Sequence, residues 1–100
     1  MSEMDPIAEL RRRIDAVDRS ILDAVNERLR LVEELWRVKA RVGADQIDPD
    51  REQRLRDALA AANSGPLTAE GLGELIDDVL ALVKRELARR ATPPPPRPPS

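Results

Sequence analysis

The chain has 100 residues, 17 Lys and Arg against 19 Asp and Glu, a net charge of −2, no His and no Cys. Without Cys there are no disulfides, thiolate nucleophiles or Cys-based metal sites; without His the usual triads, the commonest general base near neutral pH and most zinc sites are excluded. A charge so near balance argues against a general nucleic-acid surface. Any catalysis must rest on Arg, Lys, Asp, Glu and backbone groups, which favours electrostatic stabilisation of an anionic ligand.

The apolar residues are mostly Ala, Leu, Val and Ile, with Trp36 the one aromatic residue, a composition that suits packed helices better than a sandwich. The expected fold class is all-α. No run of 18 apolar residues and no basic-then-apolar leader occurs, so the expectation is a soluble, cytoplasmic protein without a membrane partner. Gly71 and Gly73 are a spaced pair without the rest of any phosphate-loop fingerprint.

Taken in order, Asp5 is placed as an N-cap and Pro6 as the first residue of a long helix, which runs without Pro or Gly to Gly43, a C-cap. Within it Ile7, Ile14, Ile21, Arg28, Leu35 and Val42 recur every seven residues, as do Leu10, Val17, Ala24, Leu31 and Val38. That is a heptad seam, with Arg28 standing where an aliphatic residue is expected. At 1.5 Å per residue the helix reaches roughly 54 Å, whereas a compact domain of this size has a radius of gyration of about 13 Å. One copy cannot cover such a helix, so a second chain is expected to, giving a homodimer.

A short connection leads to Asp48-Pro49-Asp50-Arg51-Glu52, which reads as N-cap, first helical residue and acids at the positive end of a helix dipole. This second helix extends to about Ala62, with Leu55, Ala58, Leu59 and Ala62 as its buried stripe, and Asn63-Ser64-Gly65-Pro66 stops it. Thr68 caps a third helix from about Ala69 to Arg90, with Leu72, Leu75, Ile76, Val79, Leu80, Val83 and Leu87 as its apolar face. Its two glycines weaken the first turns by about 1 kcal/mol each relative to Ala. Residues 1–91 thus form one helical domain, followed by an extended Pro-rich tail, 92–100.

The seam cation is costly unless an anion meets it. Arg28 and Lys39 are eleven residues apart, about three turns plus 20°, so both project from one face roughly 16 Å apart along the axis and could grip one small dianion between them. Arg11 lies about 25 Å from Arg28, too far to join unless an antiparallel second copy brings it in. Arg51 could add a bidentate carboxylate contact and Glu52 could accept a hydroxyl proton. Asp48 holds backbone N–H groups at a helix N-terminus facing an anion. A plainer reading stays open beside this one: Arg28 as a register-setting seam residue paired with acids such as Glu27, Lys39 as a solvated edge, Asp48-Pro49-Asp50 as a helix start, and Trp36 as packing.

The pattern Leu10-Arg11-x-x-Ile14-Asp15-x-x-Asp18-x-x-Ile21-Leu22, then Glu27-Arg28, Val38-Lys39 and Asp48-Pro49-Asp50-Arg51-Glu52, resembles the all-α (AroQ) chorismate mutases over about residues 5 to 88. The resemblance implies an intertwined homodimer of three-helix chains that converts chorismate to prephenate by a Claisen rearrangement, without cofactor or metal, in two composite sites. It implies that Arg11 reaches from the partner subunit to one substrate carboxylate, Arg28 holds the other, and Lys39 bonds the ether oxygen. Arg51 then supports the carboxylate end, while Asp48 and Glu52 bind the ring hydroxyl. The family places a Gln or Glu on the third helix as a second donor to the ether oxygen, with a small residue four positions earlier; from Gly65-Pro66 those places fall on Leu87 and Val83. Leu cannot donate. The expectation is therefore a weak mutase, or one whose third-helix end is rearranged by a partner such as DAHP synthase. An isochorismate-pyruvate lyase or aminodeoxychorismate mutase on the same scaffold, and a regulatory module without activity, are the alternatives.

Overall fold

The computed structural model describes residues 5–43 and 49–91. Among these it holds three helices, α1 (Pro6–Val42), α2 (Pro49–Ala62) and α3 (Ala69–Ala91), and no strand. The expected all-α class and helix order are borne out. Asp48 and the tail, 92–100, lie outside the described residues.

The helix ends follow from side-chain chemistry. The Ile7 amide donates to Asp5 Oδ1 at 3.0 Å, which supplies one of the first-turn N–H groups with a partner. α1 stops at Gly43, whose φ of 73° suits a residue without Cβ. Between α2 and α3 the Gly65 amide donates to Asn63 Oδ1 at 3.0 Å, and Asn63 Nδ2 donates to the Leu67 carbonyl at 2.9 Å. Asn63 so ties both sides of the turn, as short amides do. The Gly71 amide donates to Thr68 Oγ1 at 3.0 Å, confirming Thr68 as the cap of α3.

The chain divides into two compact units, residues 1–37 and 38–100. In the first, α1 leaves its heptad seam open: Ile14, Val17 and Ile21 are 57–58% exposed. The less exposed residues there are Glu9, Val25, Arg28, Leu29, Val32, Glu33 and Trp36, of which Leu29 alone is buried. α1 therefore carries a second apolar face beside the seam, spaced 25, 29, 32, 36, that the heptad reading left out.

In the second unit α2 packs on α3. α3 turns Leu72, Ile76, Val83 and Leu87 inward at helical spacing, while Leu75, expected on that face, is 50% exposed. The expected stripe of α2 is corrected more strongly. Leu55 is half-buried, but Ala58, Leu59 and Ala62 are exposed, and α2 has no buried residue. Two charge pairs cross between the helices, Arg56 with Asp77 at 2.6 Å and Lys84 with Glu52 at 4.0 Å. Along α2 they run 52, 56 and along α3 84, 77, the order of an antiparallel pair.

Gly71 has a packing reason as well. A Cβ there would lie 2.8 Å from Leu67 Cδ1, whereas one on Gly73 would meet nothing within 4 Å.

Candidate functional site

Local salt bridges sort the cations. On α1, Glu9 pairs with Arg12, and Glu27 with Arg30 at 3.4 Å; on α3, Glu86 pairs with Arg89 at 2.5 Å. These are neighbours three residues apart on exposed helix faces, each contributing a few tenths of a kcal/mol at most. Glu27, the acid that would fix Arg28 as a register residue, is thus turned to Arg30.

Among the described residues three cations are half-buried: Arg28, Lys39 and Arg56. Arg56 has Asp77. Neither Arg28 nor Lys39 has an ion-pair or hydrogen-bond partner among the described residues. Removing a cation from water without an anion is unfavourable, so an anion bound at either position would offset that cost. Lys39 is less exposed than Ala40 and Arg41 beside it, which speaks against its reading as a solvated edge.

The other expected site residues fall as follows. Arg11 is exposed on α1, next to the Glu9–Arg12 pair. Arg51 is exposed and Glu52 half-buried in the first turn of α2, with Asp48 outside the described residues. Val83 and Leu87 are buried at 5% and 6%. They form an apolar wall with Leu72 and Ile76 and offer no donor. Trp36 is half-buried, in keeping with a packing role.

Lys84 is the residue that sequence reasoning missed. Its Nζ stands 4.0 Å from Glu52 Oε1. The signal was present as opposite charges at mirrored places on α2 and α3, but it is readable only once the two helices are known to run antiparallel. A cavity of about 260 Å³ between α2 and α3, lined by Arg56, Asp57, Asn63, Leu72 and Ile76 among others, contains none of the expected site residues. It is not the expected site. Among the described residues no cluster of carboxylates suits a metal ion, and no helix is long and apolar enough to cross a membrane.

Residues 10–87 match the family model "Chorismate mutase type II". The chain belongs to that family. It is 41% identical over 83 residues to the T-protein of Enterobacter agglomerans, which covers 80% of this chain and 21% of that protein. It is 34% identical over 86 residues to a bifunctional chorismate mutase/prephenate dehydratase of Stutzerimonas stutzeri, covering 81% and 24%. The chain thus spans about a quarter or less of the length of these relatives. Among solved structures, a chorismate mutase from Thermus thermophilus superposes with a TM-score of 0.75 at 34% identity, covering 79% of this chain and 99% of that one. The match in both fold and sequence places α1, α2 and α3 on the scaffold of chorismate mutase type II proteins.

Proposed function

We propose that this chain is a chorismate mutase, rearranging chorismate to prephenate without cofactor or metal. The observation that carries this reading is the pair of half-buried cations without acids, Arg28 and Lys39, in a member of the chorismate mutase type II family. The substrate is a dianion whose C–O bond gains negative charge at the ether oxygen as it breaks. Arg28 holds one carboxylate, and Lys39 donates to that oxygen, where a preorganised cation stabilises the transition state more than the ground state. Arg51 supports the carboxylate end, and Asp48 and Glu52 bind the ring hydroxyl. The rearrangement is pericyclic, so confinement of a near-attack conformer replaces nucleophile and base.

The site is completed by a second copy of the chain. The open seam of α1, with Ile7, Leu10, Ile14, Val17 and Ile21 each 55–59% exposed, supports a homodimer. In that dimer Arg11 enters the partner's site. Residues 1–91 form the catalytic domain of a cytoplasmic enzyme. The apolar pair Val83 and Leu87 leaves the ether oxygen with Lys39 as its donor, so turnover by the isolated dimer is weak. A partner such as DAHP synthase, by rearranging the end of α3, raises it.

Steady-state turnover of chorismate by the purified chain tests the reading. Turnover that falls sharply in Arg28→Ala and Lys39→Ala supports it; a rate matching the strongest mutases overturns the role given to Leu87. Salicylate and pyruvate from isochorismate, or turnover confined to the amino analogue, replaces chorismate as substrate. The buried Leu87 also favours a second reading, a regulatory module that binds pathway ligands without converting them. Absence of turnover with and without DAHP synthase would select it.

A further inference from the structure

We propose that Lys84 is a positioning residue for Glu52, an inference that rests on Glu52 binding the ring hydroxyl of the substrate. Glu52 is half-buried at the start of α2, and its Oε1 is 4.0 Å from Lys84 Nζ on α3. Among the described residues no other acid pairs with Lys84, since the nearby Glu86 is turned to Arg89 at 2.5 Å. A carboxylate that accepts a hydrogen bond from a hydroxyl must be correctly aimed. Lys84 favours this, as a point charge on one side of the carboxylate. At 4.0 Å it makes no direct hydrogen bond, so the lone pairs of Glu52 stay open to the substrate. The second cross-helix pair, Arg56 with Asp77 at 2.6 Å, sits one turn along α2 and fixes the helix spacing independently of Lys84. Tying α2 to α3 is therefore already done elsewhere, and Lys84 is available for the carboxylate.

The test compares Lys84→Met, Lys84→Arg, Glu52→Gln and the double variant Glu52→Gln/Lys84→Met in the full chain. The readouts are kcat and KM for chorismate, and the dissociation constant of a bicyclic dicarboxylate transition-state analogue bearing the ring hydroxyl. With a solvent-screened pair, Lys84→Met raises KM and the dissociation constant about two- to fivefold. Little of the change appears in kcat, Lys84→Arg restores wild-type values, and Lys84→Met adds nothing in the Glu52→Gln background. If Glu52→Gln weakens binding while Lys84→Met does not, or lowers only the melting temperature, the positioning role is wrong and the role of Glu52 stands. If Lys84→Met weakens binding equally in both backgrounds, Lys84 acts independently of Glu52 and the proposal is overturned. If Glu52→Gln leaves binding unchanged, the reading of Glu52 itself falls and the proposal with it.

Discussion

Ile14→Ala is the substitution that probes the proposed dimer and its composite site together. Ile14 is 57% exposed in the single chain, in the stretch of α1 between Ile7 and Ile21 where the seam is open. The change removes three carbons, worth about 2.4 kcal/mol at roughly 0.8 per buried carbon group. Only the area that a second copy covers counts toward association. Scaling by the 57% exposure leaves about 1.4 kcal/mol per chain. A two-fold dimer carries the change twice, giving about 2.8 kcal/mol, or a hundredfold weaker association. Sedimentation equilibrium over a dilution series reads this directly. In the proposed dimer, where Arg11 enters the site of the other chain, chorismate turnover measured over the same series falls at the concentration where the dimer dissociates. Arg19→Ala, on the exposed side of α1 away from the seam, leaves the dissociation constant as it is. The reasoning is refuted if Ile14→Ala dissociates no more readily than wild type, or if the monomer turns chorismate over at the full rate.

Arg28→Ala and Lys39→Ala each lower kcat/KM by about 10²–10³ without lowering the melting temperature, since each removes a half-buried charge with no acid beside it; a loss of several degrees in calorimetry instead makes the residue structural. Leu87→Gln places an amide at a position 6% exposed, costing about 1–3 kcal/mol of stability. It also raises kcat about tenfold or more by supplying a donor; stopped-flow turnover that does not rise removes this position from the site. Gly73→Ala, where a Cβ meets nothing within 4 Å, stabilises by about 1 kcal/mol in urea unfolding. Gly71→Ala yields nearly nothing, because moving Leu67 Cδ1 off its 2.8 Å contact offsets a propensity gain of about that size. Removing residues 92–100 leaves both the melting temperature and kcat unchanged.

The fold was legible wherever a local rule decides it. Asp5 and Thr68 accept from backbone amides as capping residues should, Gly43 takes the positive φ of a C-cap, and the three helices end within a residue or two of where Pro, Gly and Asn place them. The faces were less legible, because an apolar residue announces burial but not by what. α1 carries two apolar sets, the heptad seam and the set 25, 29, 32, 36, and the longer and more regular of them is the one left open. The α2 stripe failed for a related reason: Ala58 and Ala62 gain little from burial and are easily left at the surface. Arg11, Arg28, Lys39, Arg51 and Glu52, the residues of the proposed site, could be picked from the sequence by charge and spacing. Lys84 could not, because its relation to Glu52 exists only between helices.

What finally separates the site from ordinary surface charge is the supply of partners. With 19 acids to 17 bases, acid is not scarce in this chain. Glu9, Glu27, Glu52, Asp77 and Glu86 all engage cations, and those cations, Arg56 apart, are exposed ones that water would have served as well. The two cations that most need a counter-charge, Arg28 and Lys39, are the half-buried ones that receive none. A folding chain that neutralised charge wherever it was costly would have done the reverse. The charge left uncompensated at these two positions runs against the tendency of the other described residues, and under the proposed function an anion from outside satisfies it. For a member of the chorismate mutase type II family, the anion under the proposed function is an ether-linked dicarboxylate, with a carboxylate on Arg28 and its developing negative charge on Lys39.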